Sequence, residues 1–258
     1  SYHAGLYGAE LLRRAGVPAS AYLSSEYATS PAPVSENTLV VGVTQSGETA
    51  DTLSALRAAR DRGAETLALT NVVGSTAARE CTHALYIRAG PEIGVAATKT
   101  FSSQLVTLNL LAEHLTGQDA GTRGLIPALR DLSDDLQSVL DHEGVTSVVD
   151  DYLGKESFFF VGRGLHHPVA LEGALKFKEI TYEHAEGFAA GELKHGTLAL
   201  VTEETPVFAV VTGDDERARK TIGNVKEVQA RGAPVVAVTD GVSEVERYAD
   251  RVLRVPET

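Results

Sequence analysis

The sequence predicts an α/β protein of two similar subdomains, each a mostly parallel sheet flanked by helices in three αβα layers. One observation is that apolar runs rich in β-branched residues, such as 38–43, alternate with segments of helical spacing. Such runs are typical of strands buried in parallel sheets. The other is that 37–71 and 205–240 share the order strand, turn, helix, Arg-Gly-Ala, strand, Thr-Asx. This repeat indicates a duplication, so we expect two subdomains of one topology.

Helices and strands alternate along the first half of the chain. A helix is predicted from residue 2 to Gly16, because glycine commonly follows the last turn of a helix. Apolar β-branched runs predict the strands, and helical spacing of leucine and alanine predicts the other helices. In chain order we expect a strand at 19–23, a polar loop at 30–37, a strand at 38–43, a helix at 50–62, a strand at 65–70, a turn at 71–75, a strand at 84–87, a glycine-bearing loop at 90–99, a helix to 115 and a loop at 117–124.

The second half opens after an amphipathic helix at 125–140, which is expected to link the two halves. A strand at 157–161 and a helix at 168–182 follow, with Pro168 at the helix start, where proline costs no hydrogen bond. The second copy of the repeat and a final strand complete the chain. The predicted domains are 1–122 and 145–258, with a linking segment at 123–144.

Composition excludes several classes of protein. The 258 residues, 43% of them hydrophobic, suffice for two domains with their own cores. A formal net charge of −12 argues against nucleic acid or an anionic membrane surface as partner. No apolar run approaches the roughly 18 residues of a membrane span, and the N-terminus shows no signal peptide. The single cysteine, Cys81, excludes an intramolecular disulfide, and a cytoplasmic protein is expected.

The chain has no methionine and opens abruptly on a helix start, which indicates a piece of a longer protein. Its basic residues are 7 lysines and 16 arginines, against 35 acidic residues. This balance suggests a salt-rich cytoplasm, with a GC-rich genome, which favours arginine, as the alternative. If salt adaptation is correct, thermal unfolding should show a more stable fold in molar KCl than in dilute buffer. Equal stability in the two buffers would exclude it.

The turn Thr-Gln-Ser-Gly-Glu-Thr at 44–49 joins a predicted strand to a predicted helix. Free backbone N–H groups and the positive end of a helix dipole make such a turn suitable for a phosphate group. The alternative is an ordinary helix cap rich in serine and threonine. The corresponding turn of the second repeat, 212–217, carries three acidic residues that would repel phosphate. The difference favours a ligand site in the first copy.

The helix at 168–182 carries a narrow charged stripe on a mostly apolar surface. Glu172, Lys176 and Glu179 fall within about 60° of one another on a helix of about 100° per residue. They are either a solvated salt-bridge stripe or a polar stripe facing a pocket, where a carboxylate and an ammonium group could transfer protons.

The segment 184–196 is rich in small residues and ends in Lys-His-Gly. Neither HExxH nor CxxC spacing is present, so no metal site is predicted. His195 is a candidate acid/base, with a solvated or capping side chain as the alternative.

Four motifs together carry a family resemblance: Thr-Gln-Ser-Gly-Glu-Thr-Ala-Asp-Thr, Glu-Ile-Gly-Val-Ala-Ala-Thr-Lys, Ala-Leu-Glu-Gly-Ala-Leu-Lys-Phe-Lys-Glu-Ile and Gly-Glu-Leu-Lys-His-Gly. In that order they resemble the isomerase part of glutamine–fructose-6-phosphate aminotransferases, which consists of two tandem sugar isomerase (SIS) domains. The resemblance covers essentially the whole chain. The first motif is shared by sugar-phosphate SIS domains in general, whereas the last two together are more specific to these enzymes.

The resemblance implies a homodimer that binds fructose 6-phosphate or glucosamine 6-phosphate. No cofactor is expected. Glu179 would move a proton between C1 and C2 of the open-chain sugar, and Lys176 would assist near the C5 oxygen. His195 would open the sugar ring, reaching the site from the neighbouring subunit. The implied substrate-binding residues are Thr44, Gln45, Ser46 and Thr49 for the phosphate and Ser1, Val95 and Ala97 for the sugar.

The sequence departs from the family pattern at several points. Serine is common in the family where Ala97 stands, and proline where Thr197 stands. The glutaminase domain and the C-terminal tail with its imine-forming lysine are not in this sequence. We therefore expect sugar-phosphate binding without full synthase activity. Alternatives are a related deglycase or sugar-phosphate deaminase, or a non-enzymatic sugar-phosphate-sensing module.

Overall fold

The computed structural model describes residues 1–117, 125–141 and 144–257. The chain divides into two compact units, Ser1–Gln118 and Asp119–Thr258. The predicted loop at 117–124 lies, beyond Gly117, outside the described residues. The predicted helix at 125–140 is present with those bounds.

The first unit contains a three-stranded sheet of order β1-β2-β3, in which all pairs are parallel. Leu67 and Leu69 of β2 pack with Leu108 of α5, whereas Ala68, on the opposite face, packs with Leu56 of α3. The sheet therefore lies between two helical layers. Its elements are α1 (Tyr2–Arg14), α2 (Ser24–Thr29), β1 (Leu39–Thr44), α3 (Ala50–Arg60), β2 (Glu65–Thr70), α4 (Thr76–Glu80), β3 (His83–Tyr86) and α5 (Lys99–Thr116).

The second unit contains a five-stranded parallel sheet of order β5-β4-β6-β7-β8. Successive residues of β4 face opposite layers, since Phe158 packs with Ala174 of α8 and Phe159 with Val225 of α9. The predicted three-layer α/β class is confirmed. The elements are α6 (Leu125–Leu140), α7 (Gly144–Tyr152), β4 (Ser157–Gly162), α8 (His166–Thr181), β5 (His184–Ala189), β6 (Val207–Val210), α9 (Glu216–Gln229), β7 (Val235–Thr239) and β8 (Arg251–Arg254), with short 3₁₀ helices at 190–192, 197–200 and 244–248.

The two repeated segments fold alike, as β1-α3-β2 and β6-α9-β7. In both copies the strands are parallel neighbours, and the shared Arg-Gly-Ala turn places its glycine at positive φ, 88° for Gly63 and 78° for Gly232. The alanine that follows is buried in each copy. The duplication predicted from the sequence is therefore visible in the topology and in the turns.

The strand predicted at 19–23 is wrong, because these residues have no strand pairing. Its counterpart in the second unit, β5, pairs along its whole length with β4, which lies between β5 and β6. Among the described residues of the first sheet, no strand occupies the position of β4, and an extended segment becomes a strand only beside a partner.

Four of the helices and strands were not predicted: α2, α4, α7 and β5. The segment that forms β5 contains small residues that suggest a loop, but the neighbouring helix requires one of them. A Cβ atom on Gly187 would lie 2.7 Å from Cα of Leu171 in α8. No helix in the described part of the chain has the length and apolar character needed to cross a membrane.

Candidate active site

The 44–49 loop follows the carboxyl end of β1 and leads into α3. Because β1, β2 and β3 are parallel, the loops after β2 and β3 emerge at the same edge of the sheet. The carboxyl edge is where open α/β sheets commonly bind ligands.

Side chains within the 44–49 loop fix its shape. The buried hydroxyl of Thr44, a residue only 4% exposed, accepts a hydrogen bond from the Gly47 N–H at 3.2 Å. The hydroxyl of Ser46 accepts one from the Glu48 N–H at 3.1 Å. Gly47 has φ +71°, and a Cβ atom there would lie 2.5 Å from Cβ of Ser75. Both the backbone angle and the close approach require glycine.

Backbone carbonyl groups attach the loop to its neighbours. The Gln45 carbonyl accepts hydrogen bonds from the Thr70 hydroxyl (3.3 Å) and the Asn71 N–H (3.1 Å). The Gly47 carbonyl accepts one from the Ala77 N–H at 3.0 Å. With these acceptors satisfied by the protein, the groups that remain for a ligand are mainly donors, which suits an anion.

The N-terminus of α3 is left open. Thr49 occupies the cap position, but its side chain makes no capping hydrogen bond. Within the part of the chain that the structure describes, no protein acceptor bonds the N–H of Ser46 or Thr49. In the second unit, by contrast, the Asp215 carboxylate caps α9 by accepting from the Ala218 N–H at 3.0 Å. The start of α3 therefore presents backbone N–H donors, whereas at the start of α9 the Asp215 carboxylate accepts from such a donor.

The predicted sugar contacts lie elsewhere in the first unit. Val95 is 98% exposed and Ala97 is half-buried, both on the loop between β3 and α5. The hydroxyl of Ser1 accepts a hydrogen bond at 2.9 Å from the amide of Gln104, which is buried in α5. Asn71 holds the base of the Val95 loop through the Ala89 N–H (2.9 Å) and the Gly90 carbonyl (2.7 Å).

The charged stripe on α8 forms one cluster. Lys176 makes an ion pair and hydrogen bond with Glu179, and its Nζ lies 3.6 Å from Oε1 of Glu172. Glu172 is 5% exposed, whereas the side chain of Glu179 retains more access to solvent. An ammonium group between a buried and a more accessible carboxylate can hold the latter in one orientation. The alternative of a fully solvated stripe does not fit the burial of Glu172.

His195 lies in an exposed turn between two 3₁₀ helices, and its N–H donates to the Glu192 carbonyl at 2.9 Å. No hydrogen bond or ion pair among the described residues joins His195 to Lys176 or Glu179. Thr197, the departure from the family pattern, begins the second of these 3₁₀ helices. Within 1–117, 125–141 and 144–257, no group of three or more His, Cys, Asp or Glu side chains could hold a metal ion.

Sequence reasoning missed Gln104 and Asn71, which orient predicted site residues. A signal for Asn71 was present, since Thr-Asx ends the second strand of both repeats. In the second unit Asp240 occupies this position, and its carboxylate accepts from the Gly213 N–H at 2.8 Å. The Asx side chain therefore bonds a neighbouring loop in both copies.

A cavity of about 960 Å³ lies at the opposite, amino edge of the first sheet. Leucines such as Leu39, Leu85 and Leu111 line much of it, together with His83 and His114. Its lining includes no residue of the 44–49 loop.

The sequence and the fold both have counterparts among known proteins. The SIS domain family matches residues 1–114 and 152–258. Glutamine–fructose-6-phosphate aminotransferase (isomerizing) of Halobacterium salinarum is 52% identical over 99% of this chain, and that of Symbiobacterium thermophilum is 50% identical over 99%. The chain spans 43% of the length of each relative. The solved C-terminal domain of glucosamine-fructose-6-phosphate aminotransferase from Francisella tularensis is 36% identical, with a TM-score of 0.92, over 100% of this chain and 74% of that one.

Proposed function

The chain belongs to the SIS domain family, and we propose that it binds and isomerises fructose 6-phosphate as the isomerase half of a glutamine–fructose-6-phosphate aminotransferase. The similarity to enzymes of that name over essentially the whole chain supports this assignment. The observation that carries it is the open, donor-presenting 44–49 loop.

The 44–49 loop is proposed to bind the sugar phosphate through its donors. The neutral donors are the N–H and hydroxyl groups of Ser46 and Thr49. The start of α3 adds the positive end of a helix dipole. The amide of Gln45 is proposed as a further donor. The hydroxyl of Thr44 already accepts within the turn, and it can donate its own proton to a phosphate oxygen.

The α8 cluster is proposed to carry the isomerisation. Glu179 removes a proton from one of the carbons C1 and C2 of the open-chain sugar and returns it to the other through an enediol intermediate. Lys176 holds the Glu179 carboxylate and is proposed to assist at the C5 oxygen. His195 is proposed to open the ring from the neighbouring subunit, which makes the active species a homodimer. Ser1, Val95 and Ala97 are proposed to contact the sugar.

The activity of the longer protein is also a proposal, because this chain spans less than half of its relatives. An accompanying glutaminase domain would supply ammonia, and the product would be glucosamine 6-phosphate for cytoplasmic amino-sugar synthesis. By itself the chain is proposed to bind the sugar phosphate without making this product from glutamine.

Replacing Thr49 by alanine is expected to weaken binding of fructose 6-phosphate and glucosamine 6-phosphate about tenfold. The reason is the loss of one hydrogen bond to a charged group, worth about 1.5 kcal/mol. Titration calorimetry measures the change. Thr116→Ala, which removes a hydroxyl bonded to its own helix at the far end of α5, is the control. No heat from either ligand with the unmodified protein, or no loss on Thr49→Ala, would count against the proposed phosphate site.

A further inference from the structure

Glu48 is the acidic residue of the 44–49 loop, and its side chain bonds a different element. Its Oε1 accepts a hydrogen bond from the Thr76 N–H at 2.8 Å, at the start of α4. We infer that Glu48 is a positioning residue for phosphate binding, because it fixes the loop that carries the donors of Ser46 and Thr49. The inference rests on the proposed function of that loop.

The bond forms one half of a double attachment. Adjacent residues of the loop bond adjacent residues of α4: the Gly47 carbonyl accepts from Ala77 N–H at 3.0 Å, and the Glu48 carboxylate accepts from Thr76 N–H. Two bonds at neighbouring positions restrict rotation of the segment more than one does. Thr49 follows directly in the chain, so the positions of its N–H and hydroxyl groups are restricted as well.

The charge of Glu48 is also relevant, because its carboxylate belongs to the loop that is proposed to bind phosphate. A negative charge next to a phosphate site weakens binding, and this repulsion decreases as the carboxylate is held farther from the phosphate. In the second unit the carboxylate of Asp215 turns onto its own helix and fills the α9 N-terminus. The carboxylate of Glu48 is instead directed to α4, which leaves the N-terminus of α3 open.

The ionisation of Glu48 agrees with this role. Donation from the Thr76 backbone N–H, with further donation from the Thr76 side chain, lowers the pKa of Glu48 below its ordinary value of 4.5. The folded state therefore favours the carboxylate. The stabilisation contributed by the charged carboxylate is therefore fully present at neutral pH, and it decreases as the pH falls through the lowered pKa.

The test compares Glu48→Ala and Glu48→Gln in the full-length protein. Glutamine keeps a carbonyl oxygen that can accept from Thr76, whereas alanine removes the acceptor. We expect Glu48→Ala to raise the Kd for inorganic phosphate and the KM for fructose 6-phosphate about tenfold, with kcat within about twofold of wild type. We expect Glu48→Gln to restore both constants to within about threefold.

Glu80→Gln is the matched control, since Glu80 also belongs to the α4 region but pairs with Arg57 of α3 at 2.6 Å. Its phosphate affinity should equal that of wild type. The inference is overturned if folded Glu48→Ala binds phosphate like wild type, or if only its Tm falls. If wild type binds neither phosphate nor fructose 6-phosphate, the proposed function fails as well. Wild-type binding with an unaffected Glu48→Ala rejects the positioning role alone.

Discussion

Replacing Glu179 by glutamine is expected to lower the isomerisation rate of the full-length protein about 1,000-fold while sugar-phosphate affinity changes little. A positioned general base typically contributes about 10²- to 10⁴-fold, and an amide cannot accept the proton. The loss corresponds to about 4 kcal/mol of activation free energy. Lys176 can still bond the glutamine side-chain oxygen, so the cluster on α8 should keep its shape. Transfer of a deuterium label between C1 and C2 of the sugar, together with its loss to solvent, measures the step directly.

Glu183→Gln is the matched control, because it removes the same charge just beyond the end of α8, outside the Lys176 cluster. The proposed base is rejected if Glu179→Gln isomerises fructose 6-phosphate at the wild-type rate. A sensing module would bind the ligand equally in wild type and in the variant and would isomerise it in neither. Absence of isomerisation in the unmodified full-length protein would therefore favour that alternative.

The features predicted well from the sequence are those determined by neighbours along the chain. The 44–49 loop is a strand-to-helix turn, and the strand, glycine and helix that define it are contiguous. The Glu172, Lys176 and Glu179 cluster follows from helical spacing, because residues three and four apart share a face. Local geometry was sufficient in both cases.

The features that were missed depend on residues distant in sequence. The bond between Glu48 and Thr76 spans 28 positions, and that between Ser1 and Gln104 spans 103. The segment 19–23 has an extended composition, but strand formation depends on a partner that no local pattern reveals. Conversely, β5 looks like a loop until its pairing with β4 and its close approach to α8 are known.

The duplication supplies a comparison that neither unit offers alone. Both units begin a helix after the equivalent strand, yet Asp215 caps α9 and Thr49 leaves α3 uncapped. An uncapped N-terminus costs about 1 kcal/mol. This difference between the two copies supports the proposed phosphate contact at the open N-terminus of α3.

Replacing Gly47 by alanine is expected to weaken sugar-phosphate binding at least 100-fold. A Cβ atom would lie 2.2 Å from Oγ and 2.5 Å from Cβ of the buried Ser75, so the loop must move away from α4. Such overpacking typically costs about 1–3 kcal/mol, and the positive φ of 71° adds about 1 kcal/mol. A displaced loop no longer presents the N–H groups of Ser46 and Thr49 together. Calorimetry with fructose 6-phosphate and a thermal unfolding curve measure the two consequences.

Gly213→Ala is the control that introduces backbone strain without the steric clash that a Cβ atom on Gly47 makes with Ser75. Gly213 lies in the corresponding turn of the second repeat with φ +67°, but a Cβ atom there meets no atom within 4 Å. Its substitution should cost only the strain, about 1 kcal/mol of unfolding free energy, and leave phosphate affinity at the wild-type value. If Gly47→Ala retains wild-type affinity, the close contact with Ser75 does not shape the phosphate site. Equal loss of affinity in both variants would mean that the 44–49 loop is not where the phosphate binds.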